Sequence, residues 1–164
     1  NGDYYDFTGT AHAKVTESVP MDKERVAEDI NKRIDEDEVP DTRARVDETG
    51  VTIDIENIKF APDSARLLES ERDKLDRIAE YLERYPDRHL RITGHTALAG
   101  TEAGRQRLSE QRAQSVAEYL LEKGVREPRE IITEGMGARE PIADNSTPEG
   151  MRKNRRVEIT ILEN

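Results

Sequence analysis

Cysteine and tryptophan are absent from this chain of 164 residues, and aromatic side chains make up only 4% of it. The absence of cysteine excludes disulfide bonds and thiolate metal sites. So few aromatic rings leave no stacking platform for single-stranded nucleic acid, and the formal net charge of −10 opposes binding to nucleic acid or anionic membrane surfaces. No apolar run approaches the roughly 20 residues that a membrane-spanning helix requires. We therefore expect no nucleic-acid partner, and membrane contact only through regions outside this sequence.

The length suits one domain with an appendage. Residues 22–34 carry apolar side chains at four-residue spacing, which predicts a packing helix. We assign residues 1–40 to an N-terminal arm and this helix, which form either an edge of the domain or the end of a preceding one. Residues 41–164 are assigned to the main domain. The chain begins at Asn1 rather than at Met, and we expect any membrane anchor or partner domain to lie outside it.

The main domain alternates strand and helix patterns. Residues 42–46 and 51–55 alternate around a Glu-Thr-Gly turn and predict a hairpin, after which the apolar parity flips and indicates a bulge near Glu56-Asn57. The later elements expected are a helix over about 65–85 capped by Asp63 or Ser64, a strand at 90–92, a helix after Gly104, a strand at 130–133, a long polar loop at 138–153 and a strand at 154–162. This order predicts an α/β fold of the βαβαβ type, with helices packed on a shared sheet.

The segment from Leu90 to Val116 carries the first functional signal. It reads as a strand, a glycine-rich loop and a helix, and Arg112 falls inside the apolar arc of that helix. An arginine on a core-facing surface needs a partner, because burying an unpaired charge is very unfavourable. Its side chain tilts back toward the loop at the helix N-terminus, where free backbone N–H groups favour anions. This arrangement predicts a pocket for a carboxylate.

Two further observations support one site at the carboxyl ends of the strands. The 60–64 loop and the 94–104 loop both follow predicted parallel strands, where ligand sites are favoured. The parity of the last strand points Arg155 toward the buried side, whereas Arg156 points outward with Glu158.

Structural roles remain open for the same residues. The position of Arg112 is equally consistent with a structural arginine that bonds to strand-end carbonyls and to a carboxylate of its own protein. The position of Arg155 is equally consistent with an ion pair to Glu134 or Glu158. His95 is interpreted as a satisfied histidine at a strand end. No metal-ligand spacing, cofactor motif or nucleophile set is visible, so we expect no metal, no cofactor and no enzymatic activity.

Several short motifs occur in a defined order. They are Ile58-Lys59-Phe60 with Ser64, Gly94-His95-Thr96, Gly100, Leu108-Ser109 with Arg112-Ala113 and Val116, Gly135 with Gly137 and Pro141, and Asn154-Arg155-Arg156-Val157-Glu158. This ordered set resembles the OmpA-like peptidoglycan-binding domain, the module also found in Pal lipoproteins and MotB-type stator proteins. The resemblance covers about residues 51–162. It implies a mixed parallel and antiparallel sheet with packed helices, in the periplasm of a double-membraned bacterium and associated with the outer membrane.

The resemblance also implies a ligand and its contacts. The family holds the free end of a peptidoglycan stem peptide non-covalently, and other envelope proteins would be further partners. The helix arginine, here Arg112, would pair with the carboxylate of a diamino acid, in bidentate fashion where the geometry allows. Residues around the site would assist; the ligand-binding candidates are Ala61, Asp63, Thr96, Ala97, Arg105, Arg112, Asn154 and Arg155.

This chain departs from the family pattern where the ligand ammonium would lie. The aspartate that follows the Gly-His-Thr motif in the family is Ala97 here, and Arg105 adds positive charge nearby. Loss of one partner of a desolvated charge pair typically costs about 2–5 kcal/mol. Three alternatives stay open: a different ligand, replacement of the aspartate by Glu102 or Glu134, or lost binding. In the last case the domain would be a degenerate module with a structural or protein-interaction role.

Overall fold

The computed structural model describes residues 20–62 and 64–163. One five-stranded sheet carries the helices. The elements are α1 (Lys23–Glu36), β1 (Thr42–Val46), β2 (Gly50–Glu56), α2 (Glu69–Leu82), β3 (Leu90–Gly94), α3 (Glu102–Glu122), a 3₁₀ turn (Pro128–Glu130), β4 (Ile131–Gly135), α4 (Pro148–Asn154) and β5 (Arg156–Leu162). The predicted α/β fold with a mixed sheet is confirmed.

The strand directions determine where a site can form. The order is β1-β2-β5-β3-β4, in which β5 is antiparallel to both β2 and β3, and β4 is parallel to β3. Strands β2, β3 and β4 therefore run the same way, so their carboxyl ends meet at one edge. Because β5 runs against them, its amino end lies at that edge too.

Cross-strand rows separate an apolar face from a polar face. One row joins Ala44, Ile53, Ile159 and Ile92 across four strands. These side chains are buried in the same core cluster as the apolar residues of α1, α2 and α3. The intervening rows are polar, and period-two alternation places them on the opposite face. The domain is thus a sheet with helices on its apolar side.

The helix predicted at residues 22–34 is confirmed as α1. Its N-cap is Asp22, whose side chain accepts a hydrogen bond from Arg25 N at 3.2 Å. Ile30 and Ile34 are fully buried on the sheet side. The apolar face of this helix completes the core over β1 and β2.

Three expectations about local structure were wrong. After β2 ends at Glu56, Asn57 adopts φ +54°, so the parity flip arises from a left-handed turn rather than from a bulge inside a strand. The helix α2 starts at Glu69, with Leu68 as an N-cap residue that makes no side-chain hydrogen bond. Ser64 instead accepts from Arg66 N at 2.9 Å, within the preceding loop. The third wrong expectation is the long polar loop at residues 138–153.

That predicted loop at 138–153 contains the helix α4, and β5 begins only at Arg156. The missed signal was Thr147-Pro148, because Thr147 caps Gly150 N at 2.9 Å and proline is favoured at the first helical position. Arg155 therefore precedes the strand, and strand parity does not determine its direction. Across the described residues, no helix combines the length and apolar character needed to cross a bilayer.

Candidate functional site

A cavity of about 480 Å³ opens at the edge where β2, β3 and β4 end and β5 begins. Residues from the β3–α3 loop and the first half of α3 form most of its wall, and Arg155, between α4 and β5, completes it. The lining consists of Thr96, Ala97, Ala99, Gly100, Thr101, Gly104, Arg105, Arg107, Leu108, Gln111, Arg112 and Arg155. Two arginines that are 43 positions apart in the sequence thus line one cavity.

The connection between β2 and α2 supports Arg112. Phe60 and Leu67 form an isolated antiparallel bridge that closes the intervening loop. Arg112 Nε donates to the Ser64 carbonyl in this loop at 3.1 Å. The Arg112 guanidinium also lies over the Phe60 ring, 4.7 Å from its centre. Arg112 is therefore oriented by backbone and aromatic contacts.

Ser109 fixes α3 against the ends of β3 and β4. The Ser109 hydroxyl is fully buried, donates to the Gln106 carbonyl at 2.9 Å and accepts from Gly137 N at 2.9 Å. A Cβ on Gly94 would lie 2.1 Å from the Ser109 carbonyl oxygen, and one on Gly135 would lie 2.5 Å from Ser109 Oγ. Only glycine fits at both strand ends, because the helix backbone passes so close.

The wall formed by residues 95–100 is held from several sides. His95 N donates to the Arg156 carbonyl at 3.0 Å, and Thr96 N donates to the Gly137 carbonyl at 2.8 Å. At the helix start, Thr101 accepts from Gly104 N at 3.0 Å and so satisfies one of the free N–H groups that favour anions. Backbone hydrogen bonds thus fix the loop beside the cavity.

A charge cluster lies behind this loop on the polar face of the sheet. Glu158 accepts from Arg156 Nε at 3.1 Å, and its other oxygen lies 3.2 Å from His95 Nε2. Burial alone would raise the pKa of the Glu158 carboxyl, but His95, Arg156 and Arg45 outweigh that effect and hold the pKa at about 2. Arg156 and Glu158 lie on the same face of β5, as predicted, but Arg156 is buried at 3% exposure. The alternative ion pair of Glu158 with Arg155 is not observed, because Arg156 occupies that position.

Among the predicted ligand-binding residues, five line the cavity together: Thr96, Ala97, Arg105, Arg112 and Arg155. Ala61 is buried outside the cavity lining, where its N–H donates to the Arg66 carbonyl at 2.8 Å. Asp63 lies outside the described residues.

The structure gives Asn154 a supporting position instead of a place in the cavity wall. Its side chain is fully buried and uses all its hydrogen-bonding groups internally. Asn154 Oδ1 accepts from Ile142 N at 2.7 Å and from Ala143 N at 2.9 Å. Asn154 Nδ2 donates to the Ala143 carbonyl at 2.9 Å and to Asn145 Oδ1 at 2.8 Å. Asn145 in turn accepts from the Leu98 N–H at 3.2 Å, which links this network to the cavity loop.

The cavity is strongly cationic. Four arginines line it (Arg105, Arg107, Arg112 and Arg155), and none of its described lining residues is acidic. Neither acid expected as a substitute for the missing aspartate lines it. Glu134 accepts from Thr93 Oγ1 at 3.1 Å on the polar sheet face, and Glu102 lines a separate cleft with Leu98. Within residues 20–62 and 64–163, no cluster of three or more His, Cys, Asp or Glu side chains is arranged to hold a metal ion.

Comparison with known proteins places this geometry in a family. Residues 59–155 match the model of the OmpA family. The peptidoglycan-binding protein ArfA of Mycobacterium tuberculosis is 44% identical over 104 residues, which cover 63% of this chain and 32% of that protein. Outer membrane porin F of Pseudomonas aeruginosa is 31% identical over 170 residues, covering 96% of this chain and 47% of the porin. The chain thus spans about a third to a half of the length of these curated relatives.

A solved structure agrees with the sequence relatives. The cell wall anchor of the T6SS from Pseudomonas aeruginosa is 28% identical and superposes with a TM-score of 0.69, over 82% of this chain and 97% of that one. The family match includes Phe60 and the loop after it, the whole of β3 and α3, and Arg155. The chain belongs to the OmpA family.

Proposed function

We propose that this domain binds peptidoglycan non-covalently and anchors a cell-envelope protein to the wall. The observation that carries the proposal is the convergence of Arg112 and Arg155 on one cavity. The names of two similar proteins, a peptidoglycan-binding protein and a cell wall anchor, support the same ligand. The role is binding without catalysis.

In this proposal the ligand is a carboxylate of a peptidoglycan stem peptide. Guanidinium groups suit it, because their planar donors match the two carboxylate oxygens. Arg112 lines the cavity and would supply the first of these contacts. The Arg155 side chain makes no hydrogen bond or ion pair with another described residue, and it would supply the second contact.

The proposed setting is the periplasm, with association to the outer membrane through parts of the protein outside this sequence. Residues 41–164 would form the wall-binding domain, and α1 would serve as its packing helix. Other envelope proteins are proposed as further partners. Similar proteins that are outer-membrane proteins or lipoproteins support this setting.

Sedimentation with purified sacculi tests the proposal. We expect the wild-type domain to pellet with sacculi, and Arg112→Ala and Arg155→Ala each to weaken retention by about tenfold or more, because a charged contact to the ligand is lost. Arg129→Ala is the matched control, since Arg129 lies at the opposite edge of the sheet and pairs only with Glu127 among described residues. Thermal melting of each variant separates lost binding from lost folding.

A second candidate is an interaction domain that keeps the fold without binding the wall. Ala97 favours it, because the methyl group cannot replace a ligand-binding carboxylate. Under this alternative the wild-type domain would not pellet with sacculi, or the arginine variants would pellet as well as the wild type. Either result would replace the wall-binding proposal.

A further inference from the structure

We propose that the cavity selects a carboxylate whose neighbouring nitrogen is acylated, as at a peptide C-terminus, and disfavours the zwitterionic head of a free amino acid. This inference rests on the proposed function and specifies the chemistry of its ligand. It concerns the nitrogen beside the bound carboxylate, which is an uncharged amide in one case and an ammonium in the other.

The first observation is the side chain at position 97. Ala97 lines the cavity and is only 5% exposed, so its methyl group forms a packed part of the wall. A methyl group accepts no hydrogen bond and carries no charge. An ammonium placed against it would lose water without gaining a partner, which is unfavourable, whereas an amide loses less.

The second observation is the fixed position of Arg105. Its Nη1 donates to the Gly100 carbonyl at 2.6 Å, and this solvent-exposed hydrogen bond holds the guanidinium at the cavity wall. Gly100 itself adopts φ +74°, a left-handed conformation that glycine accommodates readily. The Gly100 carbonyl thus holds a cation that lines the same cavity as Ala97.

The third observation is the charge balance of the wall. Four arginines and no acid occur among the described lining residues, so the only charges that these residues present to an ammonium are like charges. The two acids considered as substitutes for the missing aspartate lie elsewhere: Glu102 lines the neighbouring cleft on the other side of Arg105, and Glu134 lies on the polar face of the sheet. Repulsion between like charges strengthens in a partly desolvated site, because the effective dielectric constant falls.

The test uses a matched pair of probes, meso-diaminopimelic acid and its N,N′-diacetyl derivative. Both carry the same two carboxylates, and only the first carries ammonium groups. Titration of the intact chain by NMR or calorimetry should give a dissociation constant about tenfold or more lower for the diacetyl form. Sacculus sedimentation is run in parallel as the independent measure of the proposed function.

Two variants assign the selectivity to the residues named. Ala97→Asp should reverse the order of the two probes, and Ala97→Asn controls for the added volume without the charge. Arg105→Gln should narrow the difference between the probes by removing one like charge. The Arg105→Gln variant keeps the proposal testable if Ala97→Asp fails to fold. Asp63→Asn removes the single carboxylate of residues 61–68, the segment that contacts Arg112 through Ser64.

The outcomes separate the two proposals. Tighter binding of the diacetyl form, with reversal by Ala97→Asp or narrowing by Arg105→Gln, supports the inference. Equal binding of the probes, or tighter binding of the free amino form, overturns it. If Asp63→Asn abolishes a preference for the free amino form, that preference depends on the Asp63 carboxylate. If the probes overturn the inference but the wild-type domain still pellets with sacculi, the proposed function stands. If neither probe binds and the domain does not pellet with sacculi, both proposals are overturned.

Discussion

The Arg112 guanidinium lies 4.7 Å from the centre of the Phe60 ring, so the aromatic side chain supports the cation that faces the cavity. Phe60 follows β2 and Arg112 belongs to α3, and the two are brought together because β2 and β3 end at the same edge of the sheet. A cation over an aromatic face is attracted by the ring quadrupole. The contact also restricts the arginine rotamers, which reduces the entropy lost on binding an anion.

Replacing the ring should therefore weaken ligand binding without removing any ligand contact. We expect Phe60→Leu to lower sacculus retention about two- to fivefold, from the roughly 0.5–1 kcal/mol attributed to such contacts. Phe60→Tyr keeps the aromatic face and should bind like the wild type.

Phe60 is also a core residue, so stability has to be controlled separately. Ile58→Val removes a buried methylene at a nearby core position and should cost about 0.5–1.5 kcal/mol in a urea titration. If Ile58→Val loses as much sacculus retention as Phe60→Leu, the ring acts only through folding stability, and the interpretation of the contact fails.

The sequence predicts the elements well where apolar spacing is regular. The alternation of Val51, Ile53 and Ile55 predicts a buried strand face, and all three side chains are fully buried. Arg112 is predictable for the same reason, because its place in the helical period sets it beside apolar neighbours. Local periodicity is sufficient for these residues.

The supporting residues of the site are not predictable in this way. Ser109 and Asn154 look like ordinary polar residues in sequence, and their importance comes from backbone groups far along the chain, such as Gly137 N and Ile142 N. Arg126, which lies outside the site, shows the same limit: it is 5% exposed and donates to the carbonyls of Leu82 at the end of α2 and of Tyr85 just after it. Only the folded chain brings these partners together.

The close passage of α3 over β3 makes Gly94 the most sensitive glycine of the site. We expect Gly94→Ala to destabilise the domain by more than about 3 kcal/mol, because its Cβ would lie 2.1 Å from the Ser109 carbonyl oxygen and backbone cannot move aside cheaply. Urea unfolding measures the change.

Gly100→Ala is the matched comparison for Gly94→Ala. No heavy atom lies within 4 Å of a Cβ built on Gly100, so only its φ of +74° opposes the substitution, at about 1–2 kcal/mol. Equal destabilisation by the two alanines would show that the contact with α3 does not decide the need for glycine at position 94.

The ion pairs of Glu158 predict a pH dependence of stability. Its pKa in the folded protein is about 2, below the ordinary value of 4.5, so folding favours the charged form. This contribution is complete above about pH 4.5 and is lost as the pH falls toward about 2. Asp54 acts in the opposite direction, because burial and the nearby charge of Glu158 raise its pKa despite the contact with Arg45.

Glu158→Gln isolates the contribution of this carboxylate. Near neutral pH we expect the variant to lose about 1–3 kcal/mol of unfolding free energy, since Arg156 and His95 keep only a weaker, neutral partner. The difference between wild type and variant should shrink as the pH is lowered from about 5 toward 2, where the wild-type carboxyl becomes protonated too. Glu122→Gln, at an exposed position near the end of α3, controls for the general loss of one negative charge. A Glu158→Gln deficit that stays constant across this pH range would mean that packing, rather than charge, accounts for the role of Glu158.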